Sequence, residues 1–219
     1  MKKLLISGLG GSLFPYLHHK LSKKYVLYYV DSDEYLEKLY PELNFFLVPN
    51  VTEIKYFEII KKLIVKFHID YYIPLIDEEL VNAILNLEGY NGVKVVTPNL
   101  DFCTLCLNKF QLMKTLKNKE ISNINSFIGS EFKWEINTPI FIKPISGRGS
   151  RGIKKIISNE QLQAYYDLEC YKPNEVLIQE NIEGTEYTIG AVVNNLNQLL
   201  SVSIKKVIRK KRNYSNCCY

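Results

Sequence analysis

The sequence holds no apolar run that approaches the roughly 18 residues a membrane-spanning helix needs, so no membrane partner is expected. It also lacks a signal-peptide core. MKKLLISGLGG begins with two lysines, but its apolar run ends after about four residues, before Gly8. That start reads as the buried first strand of a cytoplasmic protein. Without an export signal, the five cysteines are not expected to build a disulfide framework. Cys103 and Cys106 form a CxxC, yet no second CxxC and no HxxxH completes a zinc set. The pair reads as packing on one helix face, and His18–His19 as helix surface.

Acidic residues are missing from the end of the chain, where Glu186 is the last one. The net charge of +5 comes from 28 basic and 23 acidic residues. Six of the basic ones, Lys205, Lys206, Arg209, Lys210, Lys211 and Arg212, lie in KKVIRKKR. Without them 22 basic residues face 23 acidic ones, a net of −1. The basicity belongs to the tail, so no nucleic-acid-binding face is expected.

What is present has the composition of a globular chain: 47% hydrophobic and 23% charged residues, enough for one or two domains. KLLIS, YVLYYVD, FFLVP, YYIPLI and VKVVTP are short strand-like runs. Helix-like stretches separate them, including LFPYLHHKLSK and TEIKYFEIIKKLIVKFHI. In the latter, Ile54, Phe57, Ile60, Ile64 and Phe67 share a face, and Thr52 is the expected cap. Alternation of this kind predicts an α/β, Rossmann-like parallel sheet covered on both faces over residues 1–98. From residue 99 the pattern changes. LDFCTLCLNKFQLMKTLKN reads as one helix and PIFIKPISGRGSRGIKKI as a strand–loop–strand flap. A helix capped by Ser158 or Asn159 follows, then EVLIQENI, TEYTIGAVVN and QLLSVSIKKVI as strands. Residues 99–219 therefore read as a separate α+β domain.

Two glycine clusters carry chemistry. In the first, Gly8 and Gly10 fit the opening of a G-x-G-x-x-G dinucleotide fingerprint, and Asp31 lies at the distance of a ribose-binding acid. Leu13 stands where the third glycine belongs. A bound NAD(P) and a turn that holds no nucleotide both remain open, and the incomplete fingerprint favours the turn. In the second cluster a strand delivers Lys143. A loop with Gly147, Gly149 and Gly152, interleaved with Ser146, Arg148, Ser150 and Arg151, then follows. Such glycines let backbone N–H groups approach an anion, and the lysine adds a point charge for phosphate. The lysine precedes the loop, so this is not a P-loop. Further on, the backbone of Glu180 to Ile182 can pair with a purine edge. Glu186 can accept from two ribose hydroxyls.

GLGGSLFPYL, VDSD, CLNKFQLMKTL, IFIKPISGRGSRGI and QENIEGTEYTI occur in that order. Together they resemble the ATP-grasp superfamily, most closely carboxylate–amine ligases related to the large subunit of carbamoyl phosphate synthetase. The resemblance implies a pre-ATP-grasp domain followed by a partial ATP-grasp domain. It implies ATP and Mg²⁺ as cofactors, with a small carboxylate and an amine as substrates. Lys109 matches the lysine that reaches the phosphates, with Asn108 in place of its usual Asp neighbour. Lys143 matches the lysine of the α- and β-phosphates, and Ser146 to Gly152 match the closing flap. Glu180 and Ile182 match the adenine hinge, and Glu186 the ribose acid. Lys205 or Lys206 matches a basic residue near the phosphates.

The family's magnesium ligands lie on strands beyond the position of Glu186, where this sequence has no acid. The expectation is a truncated form with little turnover alone, or a scaffold or split-enzyme subunit completed by a second chain or a homodimer.

Overall fold

The computed structural model describes residues 1–208 apart from 12, 135–137, 148, 150 and 195. Met1–Glu180 form one compact unit and Asn181–Tyr219 a second. The first unit opens with β1 (Lys3–Ser7), α1 (Phe14–Leu21), β2 (Val26–Asp31), α2 (Tyr35–Leu39) and β3 (Phe45–Leu47). It continues with α3 (Tyr56–Phe67), β4 (Tyr71–Ile73), α4 (Leu80–Leu87) and β5 (Lys94–Val95). The five strands pair in parallel in the order β3-β2-β1-β4-β5. Both faces are covered, which is why the strands are near-continuous apolar runs. Leu5, Val30 and Tyr72 pack with Ile60, Ile64 and Leu87 on one side. Leu4, Ile6 and Tyr29 pack with Phe14 and Leu36 on the other.

Three local expectations are corrected here. Thr52 does not cap α3. Asn50 Oδ1 accepts from both its N–H and its hydroxyl, at 3.1 and 3.0 Å, so the segment is spent on an Asx turn. The helix begins later, at Tyr56, and Ile54 stays 92% exposed while Tyr56, Ile60, Leu63 and Ile64 form the buried stripe. His18 is not plain surface, because its Nδ1 lies 2.8 Å from the Tyr29 hydroxyl. His19 is exposed.

A buried carboxyl ties the sheet to the turn after β4. Glu79 is fully buried at the end of a short 3-10 turn, Asp77–Glu79. Its Oε2 accepts from the hydroxyls of Tyr56 and Tyr72, at 2.8 and 2.5 Å. Its Oε1 accepts from the Ser7 hydroxyl and from Ile76 N–H, the latter at 3.2 Å. Ser7 Oγ also accepts from Leu75 N–H at 3.0 Å. Burial pushes the Glu79 carboxyl upward, against the pull of these hydrogen bonds.

After β5, residues 99–118 form two helices where the sequence predicts one: α5 (Leu100–Leu107) and α6 (Lys109–Asn118). Asn108 adopts an extended backbone, and its side chain accepts from Gln111 N–H at 3.0 Å. It is the N-cap of α6, a position where Asn replaces Asp at no cost. β6 (Ser126–Ile128), β7 (Ile140–Pro144), β8 (Lys154–Ile156) and β9 (Val176–Glu180) follow, with α7 (Asn159–Glu169) between β8 and β9. They form an antiparallel sheet in the order β6-β9-β7-β8. Ser158 caps α7, whose Leu162 and Tyr165 cover Ile140, Ile142, Val176 and Ile178. The second unit is an antiparallel hairpin of β10 (Tyr187–Val193) and β11 (Leu199–Lys206). Among the described residues no helix is long and apolar enough to cross a membrane.

Two outcomes are expected. The folded state keeps the Glu79 proton to higher pH than the unfolded chain, whose value is near 4.5. Its contribution is complete below that pH and is lost as pH rises through the folded value. Glu79→Gln cannot ionise, so its stability relative to wild type rises across that window. Urea denaturation at a series of pH values measures this, and a flat difference would contradict it. Asn108→Ala removes a cap and costs about 1 kcal/mol in the same assay, whereas Asn108→Asp is near neutral.

Candidate nucleotide-binding site

Lys109 is the first residue of α6, placed there by the Asn108 cap. Its N–H donates to the Ile145 carbonyl at 3.0 Å. Its ammonium donates to the Gly147 carbonyl at 2.7 Å and approaches the Ile145 carbonyl at 3.4 Å. Lys143 projects from β7 on the side opposite Ile142 and Pro144, which are buried. Burial lowers the pKa of both lysines. The Lys109 charge lowers Lys143 further, while Asp77 acts on Lys109 in the opposite direction. Among the described residues Lys143 has no hydrogen-bond or ion-pair partner. Two cations thus approach one place, with the glycine loop beside them.

That loop, residues 145–153, joins the antiparallel pair β7 and β8 and is held at both ends. Ile145 N–H donates to the Glu175 carbonyl at 2.9 Å, and Ile145 and Gly147 accept from Lys109. At the far end the Tyr165 hydroxyl donates to the Gly152 carbonyl at 2.7 Å. Gly152 has φ +66°, and a Cβ there would meet Pro144 at 3.0 Å and Tyr171 at 3.1 Å. Glycine is required on both counts. Ser146, Gly147 and Gly149 are exposed at the tip, where a Cβ on either glycine would meet nothing within 4 Å. The strand–loop–strand arrangement is therefore present, with its ends fixed and Ser146, Gly147 and Gly149 exposed. Ser150 lies outside the described residues, as do Arg148 and the basic positions Arg209 to Arg212.

Glu180 ends β9, and its Oε1 accepts from Asn125 N–H at 2.9 Å. Ile182 is 57% exposed, and Glu186 is exposed immediately before β10. Lys205 and Lys206 are exposed on β11, in register with Thr188 and Tyr187. The structure brings Lys109, Lys143 and Gly147 together in the first unit. It describes Ile182, Glu186, Lys205 and Lys206 only within the second. Asp77, in the turn four residues after β4, is the acid whose charge raises Lys109. Sequence reading does not single it out, and the available signal is its place near the carboxyl ends of the parallel strands.

The first glycine turn is closed on itself. Gly8 has φ +72°, and its N–H donates to the Val30 carbonyl at 3.1 Å. Gly10 N–H donates to Asp31 Oδ2 at 3.0 Å, and Gly11 N–H to the Gly8 carbonyl at 3.0 Å.

Residues 104–216 match the family model described as the D-ala D-ala ligase C-terminus. The D-alanine–D-alanine ligase of Petrotoga mobilis is 25% identical over 166 residues, covering 65% of this chain and 54% of that protein. Among solved structures, the L-amino acid ligase of Bacillus licheniformis superposes with a TM-score of 0.71 at 15% identity. That match covers 94% of this chain and 51% of the other. The N5-carboxyaminoimidazole synthetase of Staphylococcus aureus complexed with ADP gives 0.72 at 15% identity, covering 95% and 55%. These two show the fold alone. The chain spans about half the length, or less, of the curated relatives it matches. On the match over 104–216 and the arrangement of sheet, lysines and flap, the chain belongs to the D-Ala–D-Ala ligase C-terminal family of ATP-grasp ligases.

Proposed function

We propose that the chain binds ATP, with the polyphosphate between Lys109 and Lys143 beneath the 145–153 loop. We propose further that it serves a ligase that activates a carboxylate as an acyl phosphate for attack by an amine. The observation that carries this reading is Lys143, a half-buried ammonium beside a second lysine with no partner among the described residues. A buried charge without a counter-ion is costly, so the pair is suited to an anionic ligand. ATP supplies the phosphoryl group when bound. Lys143 and Lys109 neutralise phosphate oxygens, and the exposed tip at Ser146, Gly147 and Gly149 offers backbone N–H groups to them. The resemblance assigns adenine to Glu180 and Ile182 and ribose to Glu186, and these belong to the proposed binding set. Among the described residues no three His, Cys, Asp or Glu side chains are grouped to hold a metal ion. A Mg²⁺ ion on a nucleotide needs only one or two protein carboxylates besides the phosphates, so it would be held chiefly by ATP itself, whose charge it would help to neutralise. Dependence on ATP favours a cytoplasmic setting.

Lys143→Ala is expected to weaken ATP binding about 10- to 100-fold by calorimetric titration, with Lys143→Arg recovering part of the loss. Affinity of the wild type falls as pH rises through the Lys143 value, which lies below the ordinary 10.5, because only the ammonium form attracts phosphate. Unchanged affinity in Lys143→Ala would remove the lysine from the site.

A further inference from the structure

The outer face of α3 carries a feature that the ATP reading does not use. Tyr56, Ile60, Leu63 and Ile64 turn one side of this helix into the core, so its other side faces water. There an open groove of about 560 Å³ lies between the helix and Tyr90. Glu58, Lys61, Lys62, Val65 and Lys66 line it from the helix. A tight turn presents the Tyr90 ring opposite them. Gly89 N–H donates to the Val93 carbonyl at 2.9 Å and Gly92 N–H to the Gly89 carbonyl at 3.1 Å, with both glycines at positive φ.

The lining combines apolar surface with unpaired cations. The Val65 side chain, the Tyr90 ring and the methylene stems of the lysines are apolar. Lys61 Nζ stands 5.2 Å from the centre of the Tyr90 ring, and Lys62 and Lys66 are exposed. Glu58 lies three and four positions before Lys61 and Lys62, where helix ion pairs form, yet it makes none. Among the described residues none of the three lysines has a carboxylate partner. Positive charge continues past the helix end. Lys3 Nζ donates to the carbonyl of Phe67, the residue after Lys66, at 2.8 Å, and an exposed Lys94 follows the Tyr90–Gly92 turn. The neighbouring acids are already engaged. Asp70 accepts from Lys2 Nζ at 2.6 Å and from Lys3 N–H at 2.8 Å, and Glu88 accepts from Val95 N–H at 2.7 Å.

Shape and charge together select the partner. The groove is open, so a small anion would keep most of its surface in water, unlike a ligand in a closed pocket. Nucleic acid is disfavoured, because Glu58 sits among the lysines and, outside the basic tail, 22 basic residues face 23 acidic ones. A lipid surface is disfavoured because Val65 is the one aliphatic residue in the lining that could insert. A peptide needs only local charge complementarity. It can lay apolar side chains against Val65 and Tyr90 while its carboxylates meet the lysines. We propose that this groove docks an acidic segment of a partner protein, in which carboxylates flank one or two apolar side chains. The groove shares no residue with the ATP site, so either reading can fail without the other.

The test uses the full ¹⁵N-labelled chain with the end-capped peptide EELEELEE as the probe and QQLQQLQQ as the comparison. The acidic peptide is expected to give saturable shifts at the amides of Lys62, Val65, Lys66 and Tyr90, and the glutamine peptide none. Its affinity should fall about tenfold between roughly 50 and 300 mM salt, as screening grows. Lys62→Gln combined with Lys66→Gln removes two exposed charges, and should weaken the acidic peptide about tenfold while leaving ATP affinity unchanged. Tyr90→Ala keeps every charge and removes the exposed ring, and should weaken the peptide about threefold. Absence of saturable shifts, equal shifts with the glutamine peptide, or no loss in either variant would each overturn the proposal. So would inorganic phosphate, a DNA duplex or phosphatidylserine vesicles shifting the same amides where the acidic peptide does not.

Discussion

The site rests on a repulsion that the fold tolerates. Lys109 and Lys143 lie near enough for the charge of one to depress the pKa of the other, and both are partly withdrawn from water. Folding by itself gains nothing from placing two cations together. The cost is limited because Lys109 is spent on backbone carbonyls of the flap, at 2.7 Å to Gly147. Asp77 also lends it an opposing charge. Lys143 has no such relief among the described residues. The residual field favours an anion, and only a ligand bearing several negative oxygens answers both lysines at once.

Everything around the pair holds that geometry. The Asn108 cap breaks the helical stretch so that α6 begins at Lys109, whose N–H then pins Ile145. Gly152 and Tyr165 fix the opposite end of the flap. On the parallel-sheet side, Glu79 gathers Ser7, Tyr56, Tyr72 and the Ile76 amide into one buried network. That network fixes the turn carrying Asp77. A carboxyl with this many donors is held rigidly, and its burial pushes its pKa upward against their pull.

The parallel sheet was legible because its strands are apolar runs and its helices show a regular spacing. The flap was legible because Lys143 and three glycines occur in a strand–loop–strand pattern. Other features depend on single side-chain hydrogen bonds, which periodicity does not encode. Asn50 moves the start of α3 by capturing Thr52, and Asn108 splits one helical stretch into two. Glu79 reads as one acid of an ordinary helix start, and only the fold shows it buried among tyrosines. The closed Gly8 turn follows the same rule. The incomplete fingerprint hinted at it, but the bond from Gly10 to Asp31 is a fact of three dimensions.

The most direct measurement of the central claim is an NMR titration of the lysine side-chain ammonium groups, with and without ATP. The account predicts that Lys143 titrates below the ordinary lysine value of 10.5 in the free chain and rises when ATP binds. A Lys143 that titrates at or above that value, and does not move with ATP, would contradict it.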